Sequence, residues 1–252
     1  MKYAQRKEYI LSSLEGTDFL LVNDLIESME ASPATIRRDI VKMEEEGAIR
    51  RSRGKIFLHS QRKVPKFFLR EGIKDDEKER IGKKAAELVE EGDSIIIDAG
   101  TTALAFAQQL RGFQQITVLT NSIPVAYALG DTDIATYVCG GYQEDMALVD
   151  DSAVSYFSHR RVKKAFLSAS GVNGEIGLSV TSTLQLSVKK KMAEAADEVY
   201  ILLDSSKFNI TGICTFLDFS EIDGLVTSRP ISNKKLEERL HKLGVKIYYS
   251  DM

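Results

Sequence analysis

From Ser94 to Tyr249 the chain repeats one unit: a short run rich in Ile and Val, a polar turn, and a stretch of helical length. The runs are Ser94–Asp98, Ile116–Thr120, Ile134–Cys139, Lys164–Ser168, Val199–Asp204, Gly224–Thr227 and Lys246–Tyr249. Helical stretches fall at Thr102–Leu110, Ile123–Leu129, Asp151–Ser158, Leu184–Ala196 and Asn233–Leu243. Short apolar strands alternating with helices form a mostly parallel sheet covered on both faces. The rear of the chain is therefore expected to be an α/β domain. Ligands in such sheets sit past the C-terminal ends of the strands. A long amphipathic helix, from about Asp76 to Glu90, is expected to precede the first strand.

The first 60 residues keep a different period. Ile10, Leu11 and Leu14 share one helical face, and Val22, Leu25, Ile26 and Met29 share another. A third helix has the clearest start: Ser32 can cap it, and Pro33 fits the first turn, where a missing N–H costs nothing. Ile36, Ile40 and Met43 then recur at helical spacing, and Gly47 ends the helix. Ile49 to Leu58 alternates around Gly54 and reads as a two-stranded wing. Three short helices and a hairpin make a winged helix-turn-helix. The expected division is residues 1–60 for this domain, 61–75 for a linker, and 76–252 for the α/β domain. Pro65 and Phe67-Phe68-Leu69 lie in the linker, and the aromatics are expected to pack against a domain.

The size, 252 residues, accommodates a small domain and a medium one. No run of 18 apolar residues suggests a membrane span, and the N-terminus does not resemble a signal peptide. The expected location is therefore the cytoplasm. Cys139 and Cys214 lie far apart in apolar settings and read as buried thiols. His59, His159 and His241 have no metal-ligand spacing, so neither a metal nor a cofactor is expected. Residues 1–74 carry 15 Lys/Arg against 11 Asp/Glu, and residues 75–252 carry 19 against 26. A basic front permits contact with nucleic acid whatever the acidic rear does.

At 100° per residue, Ile40 and Met43 fall within about 40° of Ile36 on the third helix. Ala34, Arg38 and Val41 fall opposite, Thr35 and Lys42 nearby, and Arg37 on the flank. Small and basic residues on that face suit a DNA major groove. Arg50, Arg51 and Arg53 precede the wing and Lys55 sits within it, where they can hold phosphates that position the helix. Ser32, Ala34, Thr35, Arg37, Arg38, Lys42, Arg50, Arg51, Arg53 and Lys55 are thus the candidate DNA contacts. Glu44-Glu45-Glu46 should point away from DNA.

In the rear domain, Asp98-Ala99-Gly100-Thr101-Thr102 follows the first strand and opens a helix, a corner suited to an anion such as phosphate. Thr120-Asn121-Ser122, Gly140-Gly141 and Ser170 follow the next three strands and can line the same crevice. Lys191 and Lys207 are the leading cations, each weighed against simple solvation. Asp98 and Asp204 either accept sugar hydroxyls or cap the turns that follow them.

Thr35-Ile-Arg-Arg-Asp-Ile40, with Gly47 and Arg50-Arg51, closely resembles the signature of the DeoR family of bacterial transcriptional regulators. The rear domain is similar too: Asp98–Thr102 matches the family's Asp-x-Gly-Thr-Thr loop. Thr120–Ser122, Gly140-Gly141 and Asp204–Phe208 match its later segments. The resemblance implies a sensor domain with a fold like ribose-5-phosphate isomerase. It also implies an effector that is a phosphorylated sugar or a related metabolite. The family pattern differs in the wing, where Lys55 replaces a second glycine, and at Gly177-Leu178-Ser179, where Gly-Leu-Thr is common. It differs again at Tyr142-Gln-Glu-Asp145, where an arginine is common, and at Asp150, where a glycine is expected. Acids at 144–151 would disfavour an anion there.

The expected function is a repressor of a carbohydrate-use operon. It would bind double-stranded operator DNA as a homodimer or homotetramer and be released by the effector. The alternatives are an isomerase-like enzyme carrying a DNA-binding domain and a DNA-binding module with a ligand-free rear domain. Catalysis needs a positioned base and substrate anchor, and neither Asp98 nor Asp204 is joined by an obvious catalytic cluster, so no enzyme activity is expected.

Overall fold

The computed structural model describes residues 3–15, 19–29, 31–46, 48–58, 66–71, 73–228, 231 and 233–250. The chain divides into two compact units, Met1–Pro65 and Lys66–Met252.

The first unit contains α1 (Tyr3–Glu15), β1 (Leu20–Leu21), α2 (Val22–Ser28), α3 (Pro33–Glu45), β2 (Ile49–Ser52) and β3 (Lys55–Leu58). Ile10 and Leu14 of α1, Leu25 of α2, Ile36, Ile40 and Met43 of α3, and Ile49 and Ile56 of the wing form one buried cluster. The helical stripes read from sequence are thus the stripes that pack. The wing is a three-stranded antiparallel sheet in the order β1-β3-β2, rather than two-stranded. Leu20 pairs with Ile56 and Leu21 with Lys55. Two residues are too short a run to show an alternating pattern in sequence. Gly47, expected to end α3, lies outside the described residues, as do residues 61–65 of the expected linker.

The second unit opens with α4 (Phe67–Glu71), a short helix within the stretch expected to be linker. Phe67 is buried and Phe68 exposed. Next comes α5 (Asp75–Ala86), which stops before the expected end at Glu90. Leu88 and Val89 N–H groups bond to Ala85 and Ala86 carbonyls three residues back, tightening the chain into a turn. The Asp93 carboxylate then accepts the Glu90 N–H at 2.9 Å.

The succeeding elements are β4 (Ser94–Ile97), α6 (Thr101–Gln109), β5 (Thr117–Thr120), α7 (Ile123–Leu129), β6 (Ala135–Val138), β7 (Tyr142–Glu144) and β8 (Ala147–Val149). They continue with α8 (Asp151–Ser158), β9 (Val162–Ser168), β10 (Gly171–Asn173), β11 (Gly177–Val180), α9 (Thr183–Glu194) and β12 (Ala196–Leu203). The unit closes with β13 (Cys214–Asp218), β14 (Gly224–Thr227), α10 (Lys234–Lys242) and β15 (Lys246–Tyr249). Cys139 is buried and Cys214 half-buried, both as free thiols.

All seven runs named from sequence join one sheet, ordered β15-β14-β12-β9-β4-β5-β6. Every pairing in it is parallel. Successive side chains point to opposite faces, so each strand feeds two cores. Ile96, Leu167 and Ile201 pack with Phe157 of α8, Met192 of α9 and Leu240 of α10. Ile95, Ile97, Phe166 and Leu202 pack with Ile81 of α5, Phe106 of α6 and Val125 of α7. Two small antiparallel sheets, β7-β8 and β10-β11-β13, escaped the sequence reading. Their strands are only three to five residues long.

Chain order reverses between β4 and β9. From β4 the chain steps outward through β5 and β6, then returns to the other side of β4 with β9 and continues through β12, β14 and β15. The crevice at such a switch point is where open α/β sheets place ligands.

Candidate nucleic-acid interface and effector site

The N-terminal unit presents α3 as the sequence predicts. Ser32 Oγ accepts the Thr35 N–H at 3.2 Å and lies 2.8 Å from Thr35 Oγ1. Those hydroxyls therefore hold the start of the helix. Ala34, Arg37, Arg38, Val41 and Lys42 are exposed, while Ile36, Ile40 and Met43 are buried. Neither Arg37 nor Arg38 has a side-chain partner among the described residues. Lys42 lies 4.2 Å from the Tyr3 ring centroid.

Two of the three acids at the end of α3 have partners. Glu46 accepts Lys7 Nζ at 2.5 Å and the Tyr3 hydroxyl at 3.0 Å. Glu44 accepts the Arg51 backbone N–H at 2.9 Å and its Nε at 2.6 Å. Arg51 is therefore engaged with a carboxylate. Arg53 stands at the exposed wing turn with Gly54, Arg50 is half-buried, and Lys55 lies 4.0 Å from the Phe19 ring centroid. Sequence reasoning passed over Asp39, which is buried and bridges to Arg6 of α1.

In the second unit, the C-terminal ends of the strands bring together most of the residues named for the effector. Asp98, one residue past β4, is buried at the switch point. Its Oδ2 accepts the Ser168 N–H at 2.9 Å, the Ser168 hydroxyl at 2.8 Å, and an ion pair from Lys189. Lys189 Nζ also donates to the Ser168 carbonyl at 2.9 Å. Burial pushes the Lys189 pKa down, and Asp98 opposes that shift. A Cβ at Gly100 would lie 2.6 Å from Ser168 Oγ, so a larger residue there would push on the hydroxyl that bonds Asp98. Thr101 and Thr102 are buried at the start of α6, where the first backbone N–H groups have no partner within the helix.

The corner after β5 is tied down. Thr120 Oγ1 donates to the Ile97 carbonyl at 2.6 Å and accepts the Ser122 N–H at 3.0 Å. Ser122 Oγ caps α7 through the Val125 N–H at 3.3 Å. Asn121 holds the β7–β8 hairpin, exchanging bonds with Leu148 through its side-chain nitrogen at 3.1 Å and its backbone carbonyl at 2.7 Å. Asn121 Oδ1 and Asp98 Oδ1 are both buried and accept no bond among the described residues. They follow Thr120 and Ile97, which pair across β5 and β4.

Gly140 and Gly141 lead into the hairpin. Gly141 has φ of +137° and no room for a Cβ, which would lie 2.3 Å from the Val149 carbonyl. Asp150 stands where the family pattern has glycine, and its φ of 91° explains that preference. Its carboxylate offsets the strain by accepting the Tyr142 N–H at 2.9 Å and the Ser152 N–H at 2.7 Å. Ser170 is half-buried, with its N–H on Ser179 at 2.9 Å. Asp204 caps its own turn through the Ser206 N–H at 2.9 Å. Lys207 lies half-buried in that 3-10 turn.

Lys191 differs from expectation. Its ammonium pairs with Glu194 at the surface, 2.5 Å away. The lysine at the strand ends is Lys189, which shares the buried face of α9 with Val188, Met192 and Ala193. A stripe of 188, 189, 192 and 193 was available in the sequence; the run Lys189-Lys190-Lys191 concealed it.

Three further groups escaped sequence reasoning. Lys78 is buried on α5 and donates to the Arg70 carbonyl at 2.5 Å. Burial pushes its pKa down to about 8 against the attraction of Asp204 and Asp75. Arg70 pairs with Asp145 at 2.8 Å. Glu77 accepts the Ser205 N–H at 2.6 Å and Lys74 Nζ at 2.8 Å, and also bonds the Ser228 hydroxyl. Burial would raise its pKa, but these bonds outweigh it and hold the group at about 2. Glu77 and Lys78 precede Ile81 by one helical turn, so both lie on the stripe that Ile81 and Ala85 bury.

The DeoR-like helix-turn-helix domain matches residues 6–62, and the DeoR C terminal sensor domain matches residues 73–229. The chain is 32% identical over 255 residues to the HTH-type transcriptional repressor GlcR of Bacillus subtilis (strain 168), covering 100% of this chain and 98% of that one. It is 30% identical over 252 residues to the HTH-type transcriptional regulator UlaR of Shigella dysenteriae serotype 1 (strain Sd197), covering 98% and 99%. Among solved structures it is similar to ribose 5-phosphate isomerase A of Methanocaldococcus jannaschii. That match has 19% identity and a TM-score of 0.41, over 53% of this chain and 54% of the other.

Proposed function

The chain belongs to the DeoR family of transcriptional regulators, and from that premise we propose a repressor of a carbohydrate-use operon that a phosphorylated sugar releases from its operator. Double-stranded DNA is read by α3, with Arg37, Arg38 and Lys42 outward and Ala34 allowing close approach. Arg50, Arg53 and Lys55 of the wing hold flanking phosphates. A homodimer or homotetramer presents paired recognition helices to repeated half-sites.

The observation that carries the effector half is the chemistry past β4 and β5 and on the buried face of α5. Lys78 supplies a buried cation, the start of α6 supplies N–H donors, and Asp98 Oδ1 and Asn121 Oδ1 are buried acceptors without donors among the described residues. A phosphorylated sugar carries the complement of all three: an anion for the cation and N–H groups, and hydroxyl donors for the acceptors. Enzyme activity is not part of this reading, because the relatives that match along the whole chain are named as transcriptional regulators. If the effector favours the conformation that binds DNA poorly, linkage requires that it weaken operator binding.

The test is a mobility-shift titration on the DNA upstream of the protein's own gene, repeated with a panel of hexose, pentose and polyol phosphates. One phosphorylated sugar is expected to release the DNA while its unphosphorylated form does not. Release by the free sugar alone, or by nothing in the panel, would overturn the effector assignment.

A further inference from the structure

Asp145 sits at the turn of the β7–β8 hairpin, where Glu144 pairs with Ala147 and two residues reverse the chain. Asp145 has φ of 48° and Met146 of 69°, the left-handed conformation of a tight hairpin turn usually taken by Asn and Gly. This turn places the carboxylate against a segment more than seventy residues away. Oδ1 accepts the Phe67 N–H at 2.7 Å, and Oδ2 accepts Arg70 Nη2 at 2.8 Å. Lys78 adds a third bond through the Arg70 carbonyl at 2.5 Å. Together these fasten α4, the first described helix after the DNA-binding unit.

Arg70 is incompletely satisfied. Its Nε is buried and donates to nothing among the described residues, although a guanidinium offers five N–H donors to a planar anion. Its charge also bears on both Lys78 and Lys189. The cations therefore lie near one another, with Asp145 bonding the one that belongs to α4. A phosphate has more acceptor oxygens than a carboxylate and carries more charge, so it is the stronger partner for such a group.

We propose that Asp145 is a built-in counter-ion that the effector's phosphate displaces from Arg70, making phosphate capture and release of α4 from the hairpin a single event. The proposal rests on the effector being a phosphorylated sugar and adds the residues that couple its arrival to the segment following the DNA-binding unit. The acids at 144–151 thus acquire a specific part: Asp145 is the competitor that sets how much effector is needed.

The test uses the full chain and inorganic phosphate, followed by the sugar phosphates of the panel, with affinity read by calorimetry. Asp145→Asn keeps an acceptor for Phe67 and removes the competing charge. It is expected to tighten phosphate binding about tenfold, a change of ~1.4 kcal/mol. Release from upstream DNA should then occur at a correspondingly lower concentration of the active sugar phosphate. Arg70→Met is expected to weaken binding, and Asp145→Asn added to it should produce no gain. Asp145→Ser provides the same contrast if the asparagine variant fails to fold. Wild-type binding that Asp145→Asn leaves unchanged or weakens would overturn this proposal alone, as would a gain that persists without Arg70. Absence of binding by any phosphate compound to either protein would overturn both this proposal and the sugar-phosphate reading.

Discussion

The Arg6 guanidinium grips the buried Asp39 carboxylate with two donors, Nε to Oδ2 at 2.6 Å and Nη2 to Oδ1 at 3.1 Å. Asp39 follows Arg38 directly, yet the neighbours serve opposite ends of the problem. Asp39 joins α3 to α1, and Arg38 faces outward. Asp39→Ala leaves a largely buried guanidinium without its anion, which is costly. The expected result is a lower melting temperature and weaker DNA binding at every salt concentration, with the salt slope unchanged. A changed slope with unchanged melting would place Asp39 at the DNA instead.

Arg38→Ala should do the reverse. Its side chain has no partner to lose among the described residues, so melting should hold. If Arg38 neutralises one phosphate, the plot of log affinity against log salt loses about 0.9 from its slope. If it reads a base, affinity falls and the slope remains, while preference at one operator position relaxes. An unchanged affinity across salt and sequence would remove Arg38 from the interface.

Glu44 supplies a test with the opposite sign. It holds Arg51 through the backbone N–H and side chain, and the pair is partly exposed. Such pairs contribute little to stability. Glu44→Gln should free the Arg51 charge for a DNA phosphate. Binding at low salt should tighten, and the salt slope should steepen by about 0.9. Weaker binding would mean that Glu44 positions Arg51 rather than restrains it.

The contrast among these residues shows what the sequence could convey. Apolar periodicity placed Ile36, Ile40 and Met43 inward and Arg38 outward, because a helix has one period and one buried stripe. The apolar runs of the central strands β4, β5, β9, β12 and β14 were legible because they are buried, whereas charged residues hid the starts of β9 at Val162 and β12 at Ala196. Short strands such as β7 and β10 carry too few residues to express a pattern. Candidate residues just past strands, Asp98 and Asn121 among them, stand out as polar breaks after apolar runs. Lys78, Lys189 and Arg70 do not, because a lysine on a buried stripe looks like any other lysine until its neighbours are known. Arg70 becomes notable only through Asp145, which no local pattern connects to it.

Glu77 gives an acid-stability test. Its folded pKa of about 2 lies below the usual 4.5, so the carboxylate form is favoured by folding. That stabilisation is present above pH 4.5 and is lost as pH falls towards 2. The difference corresponds to about 3 kcal/mol. Glu77→Gln should lower stability at pH 7 by an amount of this order and flatten the loss between pH 4.5 and 2, as followed by urea unfolding. An unaltered acid profile would show that another carboxylate carries it.

Lys78 links pH to the effector. Its folded pKa of about 8 lies below the usual 10.5, with burial as the leading cause. Burial favours the neutral amine, so stability from this group rises as pH climbs from 8 to 10.5, and the buried charge costs the fold at pH 7. A phosphate requires the charged form. Above pH 8, binding must take up a proton, and affinity should fall by up to about tenfold per pH unit. Lys189, whose pKa burial also pushes down, is the other amine to separate from it. Lys78→Met separates them: it should bind phosphate more weakly at pH 7 and show a flat profile from pH 8 to 10. Calorimetry across that range gives both quantities. A slope that survives Lys78→Met would transfer the proton uptake to Lys189 and remove Lys78 from the anion site.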